Sequence, residues 1–129
     1  MKKITSENYV ENVLNTESSD LDKIRARMTD TNLRLLHAVL GLTTEAAELT
    51  DALKKHLFYG KELDVINLKE ELGDSTWYVG IAIDVLQTTF DEILTLNIEK
   101  LRKRYPEKFT EKSALNRDTK NELNHIDEK

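Results

Sequence analysis

Glu45 and Glu48 stand three residues apart in the run EAAE, and Glu71 and Asp74 stand three apart in ELGD. Residues three or four apart share a helix face, so on helices each pair presents its carboxylates to one side. Isolated acidic pairs are common on solvated helices, but the neighbours of these two give them another meaning. Ala46, Ala47 and Ala52, with Gly41 one turn earlier, surround the first pair with small residues, as where a second helix comes close. Leu36, Leu40 and Ala47 fall towards the opposite side of that helix. The second pair straddles Gly73 inside an otherwise continuous helical pattern. Glycine there costs ~1 kcal/mol against alanine, and a packing reason is expected for it. The apolar run WYVGIAIDVL that follows implies a largely buried helix. Four like charges near a core repel unless a cation sits between them. The chain has no cysteine, and oxygen donors without thiolate or a paired histidine suit Mg²⁺, with Mn²⁺ able to substitute. Carboxylate-held Mg²⁺ keeps open positions for water and phosphate oxygens. The chemistry indicated is that of phosphate esters.

Groups that could meet such a substrate lie on the same pattern. Lys55 comes seven residues after Glu48, two turns along one face, where it could reach a phosphate; Lys54 points about 100° away. Asn97, Lys100 and Arg104 form an i, i+3, i+7 stripe, and Arg102 points off it. A solvated basic helix end, favoured by the helix dipole, is the plainer account of those cations. Tyr78 lies one turn after Asp74, and nucleobases stack on aromatic faces. It is a candidate base or sugar contact or else a core residue, whereas its neighbour Trp77 is expected in the core. His37, near the Glu48 face, is read as a packing residue.

The elements that position these residues are helical. Ile4 to Leu14 forms a short amphipathic run with Ser6 as its candidate N-cap. The polar stretch NTESSD breaks it, and a second run starts near Leu21 and pauses around MTDT at Met28–Thr31. Helical spacing holds from Leu33 to about Lys55, and Gly60 marks a break. Asp64 is the expected cap of the next helix, which reaches about Leu86. Thr89 caps another, which Pro106 halts at Tyr105, because proline disfavours α geometry in the residue before it. Beyond Phe109 the chain turns polar and reads as a tail, over about 110–129, frayed or docked on a partner subunit. No segment alternates with period two, so the fold class is all-α.

The 129 residues suit one domain, here 1–129. Four glycines and one proline argue against collagen-like, disordered and turn-rich all-β classes. A net charge of −5 disfavours a partner such as a nucleic-acid polymer, whose binding draws on clustered Lys and Arg. No apolar run approaches the ~18–20 residues of a membrane span, and MKKITSENYVENVL lacks the apolar stretch of a secretory signal. A cytoplasmic protein is expected.

Taken together, E-x-x-E and E-x-x-D on two helices, LLHAVLGLTTEAAEL, NLKEELGDSTWYVG, and NIEKLRKRYPEKF followed by ALNRD resemble the MazG-like nucleotide pyrophosphohydrolases. These belong to the all-α NTP pyrophosphatase superfamily, with the dimeric dUTPases and dCTPases. The likeness covers roughly Leu33 to Asp118, about two-thirds of the chain. It implies a four-to-five-helix bundle, assembled as a homodimer or homotetramer with pockets completed at subunit contacts. It also implies Mg²⁺-dependent hydrolysis of a nucleoside triphosphate to monophosphate and pyrophosphate. By position, Glu45, Glu48, Glu71 and Asp74 would be the metal ligands, with Lys55, Tyr78, Asn97, Lys100 and Arg104 towards the substrate. Many members carry a further acid directly before the first Glu, where this chain has Thr44. The proton acceptor is therefore open among Glu45, Glu48 and Glu70. Rival readings are a non-enzymatic nucleotide-binding or adaptor protein and an alarmone hydrolase. A ferritin-like di-iron protein would need two Glu-x-x-His motifs, and only Glu122–His125 matches.

Overall fold

Each helix begins where a short polar side chain can accept a backbone N–H, and these caps divide the chain. The structure, a computed structural model, describes residues 3–119. Among them lie α1 (Ser6–Leu14), α2 (Leu21–Ala26), α3 (Asp30–Tyr59), α4 (Val65–Val85), α5 (Phe90–Arg104) and α6 (Glu111–Leu115), and no strand. The all-α expectation is met. The Glu122–His125 motif and the end of the polar tail lie outside the described residues.

Asp64 caps α4 by accepting the Asn67 N–H at 2.9 Å, and Thr89 caps α5 through the Glu92 N–H at 3.1 Å, both as expected. Gly60 ends α3 in the left-handed region, φ 68°, which glycine adopts without a Cβ penalty. Tyr105, before Pro106, ends α5. The first helix is capped one residue earlier than expected, at Thr5, with Ser6 already helical. The pause at MTDT resolves into Thr29, whose hydroxyl accepts from Asn32 N–H at 3.3 Å, and α3 therefore starts at Asp30. The polar tail also contains more order than its composition suggested: Thr110 accepts the Ser113 N–H at 3.1 Å and starts α6.

One pairing dominates the packing. Residues 60–64 turn α3 back along α4 as an antiparallel hairpin. His56 Nδ1–H donates to the Lys61 carbonyl at 2.8 Å and Lys61 N–H donates to the Lys55 carbonyl at 3.2 Å, pinning that turn. Two contacts fix the register. Gly41 meets the Tyr78 ring so closely that an added Cβ would overlap it, and Arg34 pairs with Asp84 at 2.6 Å. That register sets Glu45 beside Asp74, Glu48 level with Glu71, and Lys55 level with Asp64.

Away from this seam the helices are uncovered, which corrects two expectations. The run after Asp74 is not buried by this chain: Ile83 is, but Trp77 is 59% exposed and Leu86 60%. Trp77 stands outside while Tyr78 takes the inner position. Gly73 has no neighbour within 4 Å of a built Cβ, so its packing reason is not met by this chain's own described residues. Leu36, Leu40, Leu94 and Ile98 are exposed too. The accessible surface is 11229 Å², against the roughly 7,000 Å² of a compact monomer of this mass. No helix among the described residues is long and apolar enough to cross a membrane.

Candidate metal centre

The hairpin register brings carboxylates from two helices together. Oxygens of Glu45, on α3, and of Glu71 and Asp74, on α4, all lie within 4.8 Å of one another. Glu45 and Glu71 are half-buried and Asp74 is exposed. The proximity has an electrostatic consequence. The Glu45 carboxyl is held above its ordinary range, chiefly by a hydrogen bond shared with Glu71, then by burial and by the charges of Glu71 and Asp74; the Thr44 hydroxyl opposes this. Carboxylates drawn this close mark a site that a cation would relieve. Thr44 itself donates to the Gly41 carbonyl at 2.8 Å and lies 3.4 Å from Glu45 Oε1. It faces the carboxylate that the extra acid of related sequences would adjoin.

Glu48 is not part of the triple cluster. It lines a neighbouring recess of about 230 Å³, with Asp51, Lys55, Lys61, Asp64 and Asn67 among its walls. Lys55 reaches that recess, as its spacing suggested, but it is paired with Asp51 at 2.5 Å, and Lys54 joins the same carboxylate at 2.8 Å. The helix twist that separates the two lysines does not stop both from reaching Asp51, three and four residues back. Their hydrogen bonds, Lys54's first, hold the Asp51 carboxyl down at about 2. Glu70 is exposed and outside the cluster.

The aromatic residues sit further along the seam. Tyr78 is half-buried on Gly41, with its ring centroid 5.7 Å from His37 and 5.0 Å from Trp77, both edge-on. His37 is thus in the packing role expected of it. The stripe on α5 is a different case: that helix is not packed along the hairpin as α3 and α4 are packed together, so the chain does not itself gather Asn97, Lys100 and Arg104 onto the carboxylates. The Arg104 guanidinium lies 5.8 Å from the centre of the Tyr105 ring.

Asn67 is the site residue that motif reading missed. Its amide nitrogen donates to Glu71 Oε1 at 2.7 Å. The signal was there in the spacing, since residues 67 and 71 are i, i+4 neighbours on α4.

The donor set is carboxylate oxygen throughout, the set that suits a hard divalent ion. Fold and cluster together define a class: an all-helical chain whose hairpin gathers acids from facing helices. The MazG nucleotide pyrophosphohydrolase domain matches residues 33–109, more than half of the chain and all four acids of the two motifs, and the chain belongs to that family. No curated protein and no solved structure matches it.

Proposed function

We infer that the protein is a Mg²⁺-dependent nucleoside triphosphate pyrophosphohydrolase that converts (d)NTP to (d)NMP and pyrophosphate and clears nucleotides from the cytoplasmic pool. The observation that carries this reading is the convergence of Glu45, Glu71 and Asp74 within 4.8 Å in a chain of the MazG family.

Glu45, Glu71 and Asp74 would hold Mg²⁺, with Glu48, level with Glu71 on the recess side, as the fourth carboxylate. The ion, when bound, neutralises phosphate oxygens and lowers the pKa of water. The remaining work falls to the chain's own groups. Of the three candidate proton acceptors, Glu70 lines neither the cluster nor the recess, and Glu45 has its carboxyl held above the ordinary range by its hydrogen bond with Glu71. Glu48, facing the recess, is the best placed to take the proton of the attacking water at its carboxylate. Lys55 is poised to exchange Asp51 for a phosphate oxygen and to stabilise charge on the leaving pyrophosphate. Tyr78 stands one turn from Asp74, where a base or sugar could rest on its exposed edge.

Asn97, Lys100 and Arg104 would join the site from a second copy. The surface in excess of a compact monomer, roughly 4,000 Å², is what an obligate homo-oligomer of substantial interface would cover. A homodimer or homotetramer is therefore part of the proposal.

The test is a panel of nucleotides with Mg²⁺, products resolved by ion-exchange chromatography. Monophosphate and pyrophosphate are expected. Diphosphate and orthophosphate would exclude the reading; binding without turnover would favour a nucleotide-binding protein, and turnover confined to guanosine tetraphosphate an alarmone hydrolase.

A further inference from the structure

Asn67 has no part in the acidic motifs, yet it holds one of their members by a short contact. Its side-chain nitrogen lies 2.7 Å from Glu71 Oε1, and the pair is half-buried. The amide presents its N–H₂ to the carboxylate oxygen, donor to acceptor. A glutamate has three rotatable side-chain bonds before its carboxylate, and fixing one oxygen aims the other. One carboxylate oxygen of Glu71 lies within 4.8 Å of oxygens of Glu45 and Asp74, so the side chain that Asn67 holds is also the one that reaches the cluster. Asn67 is itself held: its backbone N–H donates to Asp64 Oδ1 at 2.9 Å in the first turn of α4. A fixed donor therefore precedes the ligand by one turn.

We propose that Asn67 is a positioning residue for the metal centre, orienting Glu71 towards Glu45 and Asp74. The inference rests on the metal-centre reading of those three acids. It does not require Asn67 to touch metal or substrate. Partners that orient a ligand from outside change metal affinity by roughly 10–100-fold when removed. The residue also lines the recess that holds Glu48 and Lys55, so one amide joins the carboxylate cluster to the recess.

The experiment is calorimetric titration of Mn²⁺ into the full chain and four variants, with thermal unfolding of each without metal. Asn67→Leu keeps the volume and removes the donor; roughly 10–100-fold weaker binding is expected, with unfolding temperature little changed. Asn67→Gln keeps an amide one methylene further out and should recover part of that loss. Asp64→Ala removes the cap that holds the same turn, and should lower the unfolding temperature while costing less Mn²⁺ affinity than Asn67→Leu. Glu71→Gln is the control for the centre itself. If Glu71→Gln loses affinity and Asn67→Leu does not, the positioning role is wrong and the metal centre stands. If Asp64→Ala loses as much affinity as Asn67→Leu, Asn67 acts only through helix integrity, and the proposal falls. If neither the parent nor Glu71→Gln binds Mn²⁺, the metal-centre reading falls and takes this one with it.

Discussion

The α3–α4 hairpin and α5 carry apolar residues at the same helical spacing, yet among the described residues it is the hairpin whose faces pack extensively on each other. On the seam, Ala38 is fully buried and Ile83 9% exposed; on α5, Leu94 and Ile98 remain 60% and 47% exposed. The hairpin closes because a five-residue turn, capped by Gly60 and Asp64, lays one helix along the other at little loop-closure cost. The helix α5 follows an equally tight turn, at Gln87 with φ 53°, but leads away from that seam. The difference separates the chemistry in the same way. The acids are assembled locally, whereas the cations of α5 are not packed onto that seam. A site gathered by one hairpin can form in each chain; on the proposed reading, a pocket that also uses α5 calls for a second copy.

The largest effect is expected on the assembled side. Glu71→Gln should lower turnover on the order of 10²–10³-fold, as losing one preorganised group at a charge-stabilising site does, with helicity by circular dichroism unchanged. Equal turnover would remove the hairpin from the chemistry. On the other side, Ile98→Glu places a charge on the uncovered α5 stripe. If that stripe is an interface, association should weaken by at least ~30-fold, the scale of a hot spot, and light scattering should move towards the 14.9 kDa chain. An unchanged mass would take α5 out of the assembly.

Smaller effects sharpen the register. Gly41→Ala puts a Cβ into the Tyr78 ring, and overpacking of this kind costs ~1–3 kcal/mol; denaturant unfolding would read it. The raised Glu45 carboxyl gives a pH dependence of defined sign. Because the folded chain holds the Glu45 proton above the ordinary carboxylate range, it binds more protons than the unfolded chain there. Its metal-free stability should then fall as pH rises through that range. Glu45→Gln should flatten the slope in thermal unfolding followed between pH 4 and 7. Asp51 works in the opposite direction at lower pH: held down at about 2, it contributes stability above about 3.8 that is lost as pH drops towards 2. Least of all should come from Arg34→Ala. Its pair with Asp84 is exposed, and such pairs contribute at most ~1 kcal/mol.

Much of the hairpin was legible because its signals are local. Gly60, Asp64, Thr89 and Pro106 act on their own neighbours, and the acid spacing needs only the helix period. Trp77 and Gly73 misled for the opposite reason. Apolarity and missing side chains say that something packs there, but not that the partner belongs to the same chain. Asn67 was passed over because an amide beside acids looks like ordinary helix polarity until its 2.7 Å bond to Glu71 is seen. Glu48 shares the spacing of Glu45, and that spacing did not show that it also lines the recess beside the cluster. The α6 helix escaped a composition argument that its cap at Thr110 overrides.

The most direct test of the division between hairpin and α5 is subunit complementation. One chain carries Glu71→Gln and keeps its α5; the other carries Lys100→Ala with Arg104→Ala and keeps its carboxylates. Each alone should be inactive towards the nucleotide that the parent hydrolyses. Mixed and allowed to exchange subunits, they should regain pyrophosphate release, since a mixed assembly can place an intact α5 against an intact hairpin. Mixed assemblies demonstrated by mass that remain inactive would contradict the account, and so would full activity of the α5 variant on its own.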